Sequence, residues 1–168
     1  MNHPVVLAIF DDSSSAAAAA RGLRNLGVPR ERVSIVARSH DEEGRVAQAA
    51  GASPGSEIED SAPASQLGEL GAHLLAAIAL VMPGIGPIVA DGPLAAGLGE
   101  AAGHLAGGIA RTLGRAGLPH AEAAQWEAAI EGGAFLVGAH VSDGEVDAAR
   151  GLLATSGATA TSVGTWHE

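Results

Sequence analysis

Two segments on either side of the longest uncharged stretch place a carboxylate four residues ahead of an imidazole. One is Glu69 to His73, within Leu67–Leu74; the other is Glu100 to His104, within Leu98–Leu105. On a helix, residues four apart share a face one turn from each other, so each segment offers an oxygen and a nitrogen donor side by side. Their neighbours are Ala, Gly, Leu and Ile. Polar groups in such surroundings must pair, reach water, or hold something that offsets lost hydration. Two antiparallel helices would present Glu69, His73, Glu100 and His104 to a shared interior, and a symmetric dimer would double the set. Carboxylate and imidazole donors without sulfur suit Fe, Mn, Zn, Ni or Co. The inventory is similar to that of di-iron and di-manganese bundles, although those use Glu-x-x-His and the spacing here is Glu-x-x-x-His. The levels match across a turn: Glu69 and His73 lie fourteen and ten residues before Pro83, and Glu100 and His104 lie seven and eleven after Pro93. The alternative is a solvent-facing Glu–His contact on each helix, worth about 0.2–0.5 kcal/mol.

The segment that would position these groups is 66–117. Leu70 to Ala90 contains no Asp, Glu or Arg, and Asp91-Gly92-Pro93 precedes a second Gly/Ala/Leu run from Leu94 to Arg115. Proline removes a donor and disfavours helix in the preceding residue, so Met82-Pro83-Gly84-Ile85-Gly86-Pro87 ends the first helix. The pattern predicts a helical hairpin. Gly99, Gly103 and Gly107 recur every fourth residue, a flat stripe on which a second helix can approach closely. An apolar surface of this size needs a partner, and the expected one is a second copy of the chain. The same run approaches the twenty or so residues that span a bilayer, but the prolines and glycines fall inside it, so membrane anchoring is the less favoured use.

Around the hairpin the pattern alternates strand and helix. Val5 to Phe10 reads as a buried strand, Asp11-Asp12-Ser13 as an N-cap, and Ala16 to Leu26 as a helix ended by Gly27. Val33 to Ala37 is a second strand. From Ser39 to Ser65 the chain turns polar and reads as an acidic loop, with a short helix near Arg45 to Ala50. After Pro119 come a helix over 120–130 with Trp126, a strand over 134–141, a helix over 145–155 and a β-branched strand over 158–166. The fold class is therefore α+β: a ferredoxin-like four-stranded sandwich (1–65 and 118–168) interrupted by the Ala/Gly-rich helical hairpin (66–117).

Composition excludes several classes. With a net charge of −10 over 168 residues and nine basic residues, all Arg and unclustered, nucleic acid is not an expected partner. The absence of cysteine removes disulfides, thiolate catalysis and Cys-ligated metals. Met1-Asn2-His3-Pro4-Val5 lacks the basic start and long apolar run of a secretion signal, which makes a cytoplasmic protein the expectation. No Gly-x-Ser-x-Gly elbow or dinucleotide fingerprint is present. Taken singly, His120 with Glu122, and His140 at a strand end, read as surface or capping residues. His3 and His167 read as terminal and solvated.

Three stretches carry a likeness to a known family: Ile78 to Leu94 with its Pro-Gly-Ile-Gly-Pro centre, Gly117-Leu118-Pro119, and Glu131 to Val137. Over roughly Val5 to Val141 the chain resembles the bacterial general-stress (heat- or low-temperature-induced) proteins, in which an α/β domain contains a Gly/Ala-rich hairpin. The resemblance implies a stress-associated protein with no enzymatic role, and it supplies no catalytic residues. The expectation is thus a non-enzymatic protein that self-associates through its glycine-rich hairpin. The alternatives are a metal-binding protein using the Glu/His quartet and a membrane-associated protein anchored by the hairpin.

Overall fold

The uninterrupted apolar run Val5–Phe10 belongs to a strand with two buried faces. In β1 (His3–Phe10), Val5, Leu7 and Ile9 enter one core and Val6, Ala8 and Phe10 enter another. The computed structural model describes residues 2–38, 78–82, 86–102 and 108–167. Along the chain, β1 is followed by α1 (Ser13–Asn25), β2 (Val33–Arg38), β3 (Ile78–Met82), β4 (Gly86–Asp91), α2 (Pro93–Ala102) and α3 (Gly108–Arg115). Then come α4 (His120–Glu131), β5 (Phe135–His140), α5 (Val146–Thr155) and β6 (Ala160–Trp166). The six strands form one sheet in the order β3-β4-β2-β5-β1-β6, and every neighbouring pair is antiparallel.

Helices cover both faces of this sheet. On one, α1 and α5 pack their small residues, Ala16, Ala17, Ala19, Ala20 and Ala149, with Leu23 and Leu153, against Val6, Ala8, Phe10, Ile35 and Val137. Asp12 starts α1 by accepting from the Ser15 amide at 2.8 Å, which satisfies one of the free N–H groups of the first turn. On the other face, Leu94, Leu98, Ile109, Leu113, Ala123, Trp126 and Ile130 of α2, α3 and α4 meet Val5, Leu7, Ile9, Val36 and Ile88. With few aromatics, fully buried aliphatic side chains such as Leu7, Leu23, Ile88 and Leu98 carry the core. Each contributes about 1.5–3 kcal/mol of transfer free energy.

The architecture is α+β, as the sequence predicts, but the sheet is wider than four strands. Segment 66–117 is also not a helical hairpin over its described residues. Ile78–Met82 and Gly86–Asp91 are strands that pair with each other, and β4 pairs with β2 from Ile35 opposite Asp91 to Arg38 opposite Ile88. A short apolar run has no periodicity to distinguish strand from helix, and Val81, Ile88 and Val89 are of the β-branched type that strands favour. The predicted helix from Leu94 to Arg115 is found as α2 and α3, with 103–107 between them outside the described residues. The short helix predicted near Arg45 to Ala50 also lies outside them. Among the described residues, no helix is long and apolar enough to cross a membrane.

Candidate functional site

Pairing of β1 with β5 sets Val5 opposite His140, and pairing of β1 with β6 sets His3 opposite Trp166. Since side chains two apart on a strand share a face, His3, His140 and Trp166 converge at one end of the sheet, on the side of α2, α3 and α4. Arg32 joins them because it precedes Val33, whose partner in β5 is Ala139, next to His140. The opposite wall comes from the entry to α2. Gly92 adopts φ +79° where a Cβ would stand 2.3 Å from the Val33 carbonyl oxygen, so the chain turns tightly against the start of β2. The Leu94 amide then donates to the buried Ser34 hydroxyl at 3.1 Å, which anchors the helix and leaves Pro93 on the wall. The result is a cleft of about 450 Å³ lined by Asn2, His3, Arg32, Pro93, His140, Val141, Ser142 and Trp166.

His140 is 3% exposed. Its Nδ1 lies 2.7 Å from His3 Nε2, its ring meets Trp166 edge-on with centroids 5.2 Å apart, and its Nε2 is sealed from solvent. A nitrogen pair at that distance shares one proton, with one ring donating and the other accepting, so protonating both facing nitrogens breaks the contact. The distance also separates proton from metal. Two imidazoles on one tetrahedral Zn²⁺ at 2.0–2.1 Å each stand about 3.3 Å apart, so these rings, as placed, are set for a hydrogen bond.

The lining of the cleft differs in charge from the chain as a whole. Among the described residues, Arg32 and two imidazoles line it and no carboxylate does, although the protein carries nineteen acidic residues against nine basic ones. Glu145, three residues beyond Ser142, is turned back on its own turn: it accepts from the Ser142 hydroxyl at 2.6 Å and the Ser142 amide at 2.8 Å. The hydroxyl bond foremost, then the amide bond, hold its carboxyl below the ordinary value, and the charge of Arg32 adds to the effect. Trp166, Pro93 and Val141 give the cleft an apolar side.

The predicted quartet falls differently. Glu69, His73 and His104 lie outside the described residues. Glu100 belongs to α2, but nothing is described of its side chain. Among the described residues, no group of three or more His, Cys, Asp or Glu is placed to hold a metal ion. In the glycine stripe, Gly99 is on α2, whereas Gly103 and Gly107 lie outside the described residues. The expectation that His3 is solvated and His140 a surface or capping residue is corrected: the sheet register joins them. No family model, curated protein or solved structure matches the chain.

Proposed function

We propose that this protein is a non-enzymatic binding domain that holds a small organic anion in the cleft between Arg32, the His3–His140 pair and Trp166. The observation that carries this reading is the lining contributed by the described residues: one guanidinium, two hydrogen-bonded imidazoles, an aromatic edge and no carboxylate, in a chain of net charge −10. A guanidinium binds a carboxylate through two parallel N–H donors. The apolar wall of Trp166, Pro93 and Val141 takes the body of the ligand, and the volume falls within the range of small-ligand sites, about 300–1,000 Å³. The acidic remainder of the protein is screened beyond about 8–10 Å at physiological salt. The local Arg32 charge therefore governs a monoanion in the cleft, while a polyanion meets more of the surrounding negative field. The expected ligand is a monocarboxylate with an apolar body.

The strand order β6-β1-β5-β2, with the crossover helices α1 and α5 on one face, supports a ferredoxin-like unit. In that reading β3, β4 and the layer α2–α4 are added between its second and third strands. Such a unit sets its central strands side by side, and here the ends of β1 and β5 supply the two imidazoles.

Tryptophan fluorescence tests the reading. Trp166 is half-buried in the cleft and Trp126 is buried in the core. In a Trp126→Phe background, benzoate quenches or shifts the Trp166 emission saturably, and benzylamine, of the same shape and opposite charge, does not. Equal responses to the two, or none to benzoate, would remove the anion cleft.

A further inference from the structure

The outer edge of β6 is built to pair with itself, and we infer that two copies of this protein join there through a two-fold antiparallel β6–β6 contact centred on Val163. This inference does not rest on the anion cleft.

Backbone direction supplies the first part of the case. The Val141 amide donates to the Pro4 carbonyl at 3.1 Å, which fixes the alternation along β1: Pro4, Val6, Ala8 and Phe10 turn their backbone polar groups toward β5. His3, Val5, Leu7 and Ile9 therefore turn theirs toward β6, where the partners are Trp166, Gly164, Ser162 and Ala160. The N–H and C=O groups of Thr161, Val163 and Thr165 point the other way, to an edge beyond which no strand lies among the described residues.

Exposure and sequence supply the second. Val163 is 40% exposed, a large value for a valine mid-strand, and Thr165 is exposed beside it. Natural sheets protect such an edge with Lys, Pro, a bulge or a covering element. Here residues 155–167 contain no Asp, Glu, Lys, Arg or Pro, in a chain that is otherwise strongly acidic. The edge is also symmetric by residue type: Thr161 and Thr165 flank Val163 at equal distance.

A two-fold axis at Val163 consequently sets Val163 against Val163 of the second copy, and Thr161 against its Thr165. All three pairs are of the hydrogen-bonded kind, which gives six inter-chain backbone bonds and two Thr–Thr side-chain pairs. A closed two-fold contact uses up both edges and stops at the dimer. The two sheets become one of twelve strands.

Sedimentation velocity over a wide concentration range should show a reversible monomer–dimer equilibrium. Val163→Lys, which sets like charges against each other across the axis and leaves the ladder to β1 in place, should raise the dissociation constant about tenfold or more while thermal unfolding still reports a folded chain. Register is tested separately by cross-linking, since the protein has no cysteine of its own. Opposed residues in a hydrogen-bonded antiparallel pair have Cα atoms about 5.5 Å apart, inside the range a disulfide spans. Val163→Cys should form a covalent dimer under mild oxidation, and Leu26→Cys, at a 46% exposed position after α1, should not. A monomeric mass at every concentration, or equal cross-linking at the two positions, overturns the inference.

Discussion

Gly164 sits in β6 opposite Val5, two residues before Trp166, where the strand passes under the turn between α3 and α4. A Cβ at this position would stand 1.8 Å from the Ala116 carbonyl oxygen, 2.9 Å from its carbon and 3.3 Å from Gly117 Cα. All three are backbone atoms, so no side chain can swing aside. Gly117 itself holds φ +91° with the site of its own Cβ 2.7 Å from the Thr165 amide nitrogen, so the turn and the strand are pressed together from both sides. Relieving the contact in Gly164→Ala needs a separation of more than about 1 Å between the strand and a turn whose Ala116 and Leu118 are buried. Overpacking a core costs typically about 1–3 kcal/mol when side chains can adjust. With backbone on the receiving side, the loss should be about 3 kcal/mol or more. At about 2–4 °C per kcal/mol for a domain of this size, the melting temperature falls by about 6–12 °C. Gly151→Ala is the matched control: it lies on the exposed side of α5, where an added Cβ would meet nothing within 4 Å, and it should stabilise the helix by up to about 1 kcal/mol. Urea unfolding followed by fluorescence and circular dichroism measures both. A Gly164→Ala change within about 0.5 kcal/mol of wild type would refute the close approach that seats the end of β6 beside the cleft.

Three further predictions concern the fold. Ile88→Ala, in a strand the sequence reads as part of a helical appendage, should cost about 2–5 kcal/mol because Ile88 is fully buried in the shared core; a change below about 0.5 kcal/mol in urea unfolding would separate β4 from that core. Ser142→Ala should lower thermal stability at neutral pH and matter less in acid. Glu145 is held below its ordinary value chiefly by the Ser142 hydroxyl. Its contribution is therefore full above the ordinary carboxylate range and is lost as the pH falls through the native value. Asp12, held down first by the Ser15 amide and next by the Ser15 hydroxyl, obeys the same sign, so Asp12→Ala should converge with wild type at low pH. Thermal melts across pH test both, and a gap that stays constant into strong acid would contradict the assignment.

Much of the scaffold is legible in the sequence because local signals and burial agree. Val5–Phe10 and 134–141 read as strands without any structure, and the Asp11-Asp12-Ser13 cluster and Pro119 mark the starts of α1 and α4, where the caps are Asp12 and Pro119. Residues 78–91 are misread when proline and glycine are taken as breakers between helices, whereas Ile78–Met82 and Gly86–Asp91 are strands of five and six residues, with Gly86 and Pro87 inside the second. Length is the available discriminator: pieces this short, with β-branched Val81, Ile88 and Val89, suit strands better than helices. The cleft is hidden for another reason. His3 and His140 are 137 residues apart and each is commonplace alone. Only the pairing of β1 with β5 makes them neighbours, and only the chain's turn at Gly92 closes a wall over them. The signal in the sequence is polar residues at the ends of otherwise apolar strands, which becomes informative once two such strands are known to be adjacent.

Side-chain NMR of the two imidazoles and the Trp166 indole bears most directly on the anion cleft. On titration with benzoate, the resonances of His3, His140 and Trp166 should shift together and saturate, and Arg32→Ala should weaken that response by about tenfold or more, consistent with loss of a charge-assisted pair worth about 1.5–3 kcal/mol. Shifts confined to other residues, or an Arg32→Ala titration indistinguishable from wild type, would contradict the account.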